Sequence, residues 1–434
     1  MGAWLPFVQN SPEAQNRLKI FFNRRLQSAS VITNSAFLFV NSLLGAFLGA
    51  AFWVIAAQFY DLASIGLTSA MFSSATLIAV MSNLGFSGVL VRYLPLTGDA
   101  ELRLSIPATL IPVSLAFLAA TAFSTLPVGH SILNNLSGSP LLTYFVLALL
   151  TMTIAVSMIQ DSIFVARREG LLVLITDLGG VLARFLLLLP LAGLGALGLV
   201  LTITAGSVIA IMLGATAWKK KLPSHSSPSA SLRTIAAYGA TVYVSGLLAQ
   251  APQLLFPILI ATQVSPLAAG AFNYAWLAAA LLMALPPSAA NVLLAHLASD
   301  PASAQRRLRR AAPGIIVATA VLAFLTYAAM RSLLPFVLPT GMHDTLMFLP
   351  LLLLGVVLFA VVRVYSMVLS WHEKLGELLV LNGFVASLAI CLPALLLPRA
   401  GVLGLEVGWL ISQFLGVIAA EMIQFMSSKD GRYA

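Results

Sequence analysis

The sequence predicts an all-α polytopic membrane protein with about twelve transmembrane helices in two six-helix lobes. The 434 residues are 60% hydrophobic and only 9% charged, whereas soluble domains carry about 25% charged residues. Apolar runs of more than twenty residues recur without alternating polar positions, which predicts spanning helices rather than a barrel. The two halves of the chain also repeat a common pattern, which predicts the two lobes.

Twelve apolar segments are predicted to cross the membrane. They lie near residues 31–57, 65–91, 105–126, 141–164, 169–191, 193–217, 233–262, 266–297, 311–337, 345–370, 376–397 and 401–426. The fifth and sixth are separated only by Pro190 and Ala192-Gly193, which are residues typical of breaks.

Polar segments divide the chain into five predicted parts. These are a cytoplasmic N-terminal segment (1–30), an N-lobe (31–218), a cytoplasmic linker (219–232), a C-lobe (233–426) and a cytoplasmic tail (427–434). Within the first, residues 17–26 mix apolar side chains with four cations. Two interpretations are open: an amphipathic helix on an anionic membrane surface, or a basic flank that only fixes topology.

The positions of the cations predict the orientation. Of the 23 Lys and Arg residues, 19 lie in alternate connections or at the termini, and the opposite connections hold only Arg399. Because positive charge is retained in the cytoplasm, both termini are predicted to be cytoplasmic. The net charge of +9 is therefore interpreted as a topology signal, and no nucleic-acid partner is expected.

An internal duplication is predicted from matched glycines. Gly195-Ala-Leu-Gly-Leu recurs as Gly401-Val-Leu-Gly-Leu, 206 residues later, and Gly66 recurs as Gly270, 204 residues later. Since each half has six spans, both halves have the same orientation, as in parallel-repeat transporters, where a site between the lobes alternates between the two sides.

The sequence does not indicate an enzyme or a cofactor. It contains no Walker A, GxSxG or HExxH pattern, and the single Cys391 supports neither a disulfide framework nor a metal cluster. Any transport is therefore expected to be driven by an ion gradient, a potential or the substrate gradient.

Four segments resemble a known family: Ala51–Tyr60 with Ile65-Gly66, Gly85–Pro95, Gln160–Gly170 and Gly401–Gln413. On these residues the chain is similar to the oligosaccharide and polysaccharide (O-antigen-type) flippases of the multidrug/oligosaccharidyl-lipid/polysaccharide exporter superfamily. The resemblance implies a MATE-like, V-shaped pair of lobes around a polar, often cationic cavity. It also implies a multi-pass protein of the prokaryotic plasma (inner) membrane, which moves undecaprenyl-diphosphate-linked sugars of lipopolysaccharide-type polysaccharide biosynthesis to the outer leaflet. Membrane lipids and polysaccharide polymerase or assembly proteins are the other implied partners.

Buried charges are the candidate functional residues, because ionisable side chains within a membrane are functional by default. Asp177 and Arg184 share a face of the fifth span. In one interpretation Arg184 binds the substrate diphosphate, and Asp177 couples protons or holds Arg184. In the other the two belong to a structural network, and a location of Arg184 wholly within one lobe would argue against the binding role.

The remaining candidates have a structural alternative each. Glu406 is a coupling candidate, or pairs with Arg331 or Arg399; Arg363 binds substrate, or extends to lipid phosphate; Arg92 captures the diphosphate at the cytoplasmic mouth, or only fixes topology. Asn41, Gln250 and Gln253 contact substrate, or join helices. Asn34 and Asn41, seven residues apart, are predicted to share one face of the first span.

The predicted function is therefore the flipping of a polyprenyl-diphosphate-linked oligosaccharide by alternating access. Drug exporters of the same fold are the first alternative, although they typically carry a buried acid in the first span, where this chain has Asn34 and Asn41. A non-transporting scaffold or polymerase of polysaccharide assembly is the second, and the short outer loops argue against a polymerase.

Overall fold

The computed structural model describes residues 34, 37–96, 101–217, 232–287, 289, 301–337, 343–371 and 374–429. Within these ranges the backbone is almost entirely helical and contains no strand. The predicted segment 1–30, nearly all of the linker 219–232 and most of the tail 427–434 lie outside the described residues. The longer helices are α1 (Phe37–Ala56), α2 (Leu62–Ser82), α3 (Phe86–Tyr93), α4 (Glu101–Thr125), α5 (Pro127–Leu136), α6 (Pro140–Ala166), α7 (Gly170–Leu188), α8 (Gly195–Ala217), α9 (Leu232–Gln263), α10 (Pro266–Met283), α11 (Pro301–Val337), α12 (His343–Trp371) and α13 (Leu375–Lys429).

The predicted number of spans is confirmed for the described part of the chain. Eleven helices there are long and apolar enough to cross a membrane, and the last of these stretches, Gly376–Phe425, is 50 residues long. Since a span needs about twenty residues, this stretch crosses twice. Its break is at Gly401, whose φ of 60° and ψ of −148° are not helical.

The duplication is visible in the backbone. Gly195, 206 residues before Gly401, has a φ of 57° and a ψ of −138°, almost the same conformation. Positive φ is accessible to glycine because it has no Cβ. The sixth and the twelfth spans therefore begin with the same glycine turn, as the repeated sequence predicts.

The second span is shorter than predicted. The sequence predicts one helix over 65–91, but α2 ends at Ser82 and the separate helix α3 follows. Between them Leu84 and Gly85 have φ values of 48° and 83°, which cannot continue a right-handed helix. The Asn83 side chain accepts a hydrogen bond from the Ser87 amide at 3.1 Å and so caps the new helix.

One further element differs from the prediction. A short helix, α5, follows the third span and starts at Pro127, a residue well suited to the first turn of a helix. In the eighth span α10 ends at Met283, residues 285–287 are helical again, and the apolar span covers Pro266–Pro287. Its predicted end at residue 297 lies outside the described part and stays a prediction.

Two separate apolar cores correspond to the two lobes. One is built almost entirely from α1–α8 and the other from α9–α13. The lobes touch through α1, α2, α3 and α5 on one side and α9 and α10 on the other.

The lobes meet closely at the predicted extracytoplasmic end. A Cβ added to Gly66 would lie 1.8 Å from the Pro266 carbonyl oxygen, and one added to Gly270 would lie 2.0 Å from the Leu62 carbonyl oxygen. Nearby, the Tyr274 hydroxyl donates to the Trp53 carbonyl at 3.0 Å. The repeat-related glycines 66 and 270 thus face each other and let two helix backbones touch.

The lobes also meet at the predicted cytoplasmic end. A Cβ on Gly85 would lie 2.2 Å from the Gly239 carbonyl oxygen, and the Tyr243 hydroxyl donates to the Met81 carbonyl at 3.1 Å. The molecule therefore has lobe–lobe contacts at both ends.

Candidate functional site

A pocket lies inside the C-lobe between α9, α10, α12 and α13, and we call it the C-lobe pocket. About 30 Å³ of it is available to the centres of water-sized molecules, enough for at least one ordered water. Its walls are mostly apolar, and its polar side chains are Gln253, Arg363, Asn382 and Gln413. Polar side chains from α9, α12 and α13 therefore converge on this small space.

Arg363 gives the C-lobe pocket its charge. Its guanidinium carbon lies 4.7 Å from the Phe359 ring centroid, and its Nε is buried without a hydrogen-bond partner among the described residues. None of the described residues that line the pocket is an Asp or a Glu. The side chain therefore places a positive charge beside the pocket that no described lining carboxylate balances, and its extension to a lipid phosphate, the structural alternative considered from the sequence, stays a prediction.

The glutamines near the pocket differ in whether their side chains are available to bind a ligand. Gln413 is 2% exposed, its Nε2 donates to Ser412 Oγ at 3.3 Å, and its Oε1 has no partner in the described part. Gln253 lines the pocket, whereas Gln250 is exposed and donates to the Gly246 carbonyl at 3.4 Å. Only one of the two predicted glutamines therefore belongs to the pocket.

Glu406 lies two turns before Gln413 and is fully buried. Its exposed fraction is 0%, and neither carboxyl oxygen has a hydrogen-bond partner among the described residues. The predicted pairing with Arg331 or Arg399 is wrong: both arginines are exposed, and Arg399 donates instead to the Leu395 carbonyl of its own helix. Burying a polar group without a partner costs free energy, so Glu406 keeps its standing as a functional candidate.

A second polar site joins α1 to α7 in the N-lobe. The Asn41 amide donates to the Asp177 carboxylate at 2.7 Å, and the Asn34 side chain accepts from the Gly170 amide at 2.5 Å. Both bonds link residues 136 apart in sequence, because the two helices run parallel in one register. The asparagines predicted to share a face therefore bind one neighbouring helix.

Arg184 lies two turns beyond Asp177 but is held by α8. Its Nη2 donates to Ser207 Oγ at 3.4 Å, its side chain packs over Gly206, and its Nε is buried without a partner in the described part. Among the described residues no ion pair within 4 Å joins Arg184 to Asp177. All these contacts lie within the N-lobe, which argues for the structural interpretation of Arg184.

Arg92 lies in the last turn of α3, beside the other lobe. Its guanidinium carbon lies 4.4 Å from the Tyr238 ring centroid and 5.6 Å from that of Tyr93. Tyr238 belongs to the other lobe, so Arg92 bridges the lobes, a contact that the sequence pattern does not indicate.

The structure adds two residues that the sequence analysis did not select. Asn382 lies in the eleventh span and lines the C-lobe pocket, and Tyr238 begins the seventh span beside Arg92. The polar Asn382 within an apolar run was the available signal for the first; a tyrosine near a helix end is too common to have indicated the second.

We expect Asn41→Ala to lower the stability of the N-lobe. The change leaves the part-buried Asp177 carboxylate without its amide donor, which costs about 1–3 kcal/mol. Thermal unfolding of the purified protein in detergent measures the effect. Ser42→Ala is the matched control, since Ser42 is exposed and bonds only to its own helix; equal melting temperatures for the two variants would contradict the assignment.

Solved structures share this fold. The chain is similar to the lipid II flippase MurJ in an inward closed conformation, with 14% identity over 88% of this chain and 86% of that one, at a TM-score of 0.70. It is also similar to an inward-facing multidrug resistance MATE family transporter of the MOP superfamily, with 15% identity over 89% and 96% at 0.64, and to the MATE multidrug transporter DinF-BH, with 13% identity over 90% and 95% at 0.59. No protein-family model matches the chain, and no curated protein sequence matches it. These likenesses establish the fold of the chain.

Proposed function

We propose that the chain is a flippase that moves a polyprenyl-diphosphate-linked oligosaccharide from the cytoplasmic to the outer leaflet by alternating access. The observation that carries the proposal is the C-lobe pocket, where Arg363, whose Nε is buried, has no carboxylate partner among the described lining residues. A guanidinium binds phosphate oxygens in a bidentate manner, so a pocket of this charge suits an anionic headgroup. The fold shared with a protein described as a lipid II flippase is consistent with it.

The candidate residues take different roles in this proposal. Arg363 is the leading diphosphate contact, with Gln253 beside it, and Arg92 meets the headgroup at the mouth. Arg184, which packs within its own lobe, positions α7 against α8. Asp177 and Glu406 are the coupling candidates, because both are carboxyl groups in the spanning region.

The multidrug exporter is the second candidate. The buried carboxyl of Glu406 and the fold shared with multidrug transporters favour it. Cationic drugs, however, would have to bind beside Arg363, which no carboxylate among the described lining residues balances, and like charges repel strongly where the dielectric constant is low.

Reconstitution in proteoliposomes tests the proposal. A polyprenyl-diphosphate-linked oligosaccharide is placed in the inner leaflet, and its arrival in the outer leaflet is followed by lectin binding. We expect transfer above that of protein-free vesicles, and slower transfer of the same sugar on a polyprenyl monophosphate carrier. Transfer no faster than in protein-free vesicles would overturn the proposal.

A further inference from the structure

Arg92 and Tyr238 form a contact between the lobes at the predicted cytoplasmic end that involves a charged side chain. Arg92 extends from the last turn of α3, and Tyr238 lies in the first part of α9. The guanidinium carbon is 4.4 Å from the ring centroid, well within the range of a cation–π interaction. Tyr93, the next residue, packs edge-on against the same ring, with centroids 5.9 Å apart.

The surrounding contacts depend on this end being closed. Gly85 and Gly239 place two backbones in contact, and the Tyr243 hydroxyl reaches the Met81 carbonyl. The groups that make these contacts are uncharged, so a charged ligand does not weaken the contacts directly. Arg92 is the exception: its side chain is exposed and carries a full charge while it holds the opposite lobe.

We propose that Arg92 and Tyr238 form an inter-lobe latch that a diphosphate headgroup releases. The attraction of an aromatic face for a guanidinium depends on the positive charge of that group. A diphosphate bound to Arg92 neutralises much of this charge and offers stronger, bidentate hydrogen bonds. Headgroup binding therefore weakens the hold on Tyr238 and opens this end of the molecule.

The latch deepens the proposed function and rests on it for the nature of its ligand. It makes the opening of the predicted cytoplasmic end depend on the binding of an anionic headgroup. This dependence makes substrate entry selective for such headgroups. Differential binding to the open state is the requirement for a ligand to shift such an equilibrium. The contact between Arg92 and Tyr238 supplies it, because only the closed state makes this contact and a bound diphosphate weakens it.

Distance measurements between spin labels test the latch without any transport. Labels at Val91→Cys and Ala240→Cys flank the contact, and both positions are exposed. Cys391 is the only cysteine and is replaced by serine. We expect Tyr238→Leu to raise the open-to-closed ratio about two- to five-fold, the range for an exposed cation–π pair, whereas Tyr238→Phe, which keeps the ring, stays close to the unchanged protein.

Two probes distinguish the ligand: a sugar-free polyprenyl diphosphate in the vesicles and inorganic pyrophosphate in solution. Either probe should increase the open fraction of the protein with an intact latch, and a polyprenyl monophosphate should increase it less. The distances in Arg92→Gln should not change when a probe is added. Tyr274→Phe, which removes a lobe contact at the opposite end, is the control variant and should retain the response.

The outcomes separate the latch from the proposed function. Closed distances in Tyr238→Leu, or an unchanged diphosphate response in Arg92→Gln, would overturn the latch. If Tyr238→Leu and both diphosphate probes open the molecule but no lipid-linked oligosaccharide is transferred, the latch is supported and the proposed substrate is wrong.

Discussion

Replacing Arg363 by glutamine is expected to reduce the initial rate of oligosaccharide transfer by about ten- to 100-fold. Hydrogen bonds to a charged group contribute about 1.5–3 kcal/mol each, and the pocket offers the diphosphate no second cation among its described lining residues. Arg363→Lys keeps the charge but not the planar fork, so an intermediate rate is expected. The lectin assay in proteoliposomes measures the transfer rate of the unchanged protein and of the two Arg363 variants.

Stability separates this effect from a folding defect. Removing a buried charge that has no partner tends to stabilise a protein, so the melting temperature of Arg363→Gln should stay equal or rise while transfer falls. Arg399→Gln is the matched control, because Arg399 is exposed and bonds only within its own helix. Transfer by Arg363→Gln within twofold of the Arg399→Gln rate would remove Arg363 from the mechanism.

Gly66→Ala is expected to have the second large effect. Its Cβ would lie 1.8 Å from the Pro266 carbonyl oxygen, so α2 and α10 must separate. Overpacking of this kind costs about 1–3 kcal/mol, which changes the closed-to-open ratio about five- to 150-fold. We expect a lower melting temperature and slow transfer, because the predicted extracytoplasmic end no longer closes.

The control for Gly66 is another helical glycine. Gly49 has nothing within 4 Å of an added Cβ, and alanine there should be neutral or slightly stabilising, since alanine is the better helix former. Gly270→Ala should reproduce the Gly66→Ala phenotype. Normal stability and transfer in both Gly66→Ala and Gly270→Ala would show that neither folding nor transfer needs the close backbone approach.

The sequence predicted the features that depend on repetition and on helix period. The offset of 204 residues between Gly66 and Gly270 predicted the repeat, and the seven-residue spacing of Asn34 and Asn41 predicted their common face. The common face depends only on the period of one helix, and the repeat depends only on positions along the chain. Neither prediction therefore requires knowledge of how the helices pack.

Lateral packing and backbone conformation could not be predicted in the same way. That Asn41 binds Asp177 depends on the register between α1 and α7, and that Glu406 has no partner among the described residues depends on the arginines facing elsewhere. The end of α2 at Ser82 depends on positive φ at Leu84, a residue that rarely adopts it. Ser82, Asn83 and Gly85 are residues typical of turns and were the available signal for this break, but the apolar sequence on both sides favoured one continuous helix.

The most direct test of the central claim compares the two candidate substrates in the same vesicles. Proteoliposomes containing the protein are given both a polyprenyl-diphosphate-linked oligosaccharide and a fluorescent cationic drug, and the transfer of each is followed with and without an imposed ion gradient. The pocket charge predicts that the oligosaccharide crosses and the drug does not, and that Arg363→Gln slows the oligosaccharide at least ten-fold. Drug transport that is faster than oligosaccharide transfer, and that survives Arg363→Gln, would contradict the account.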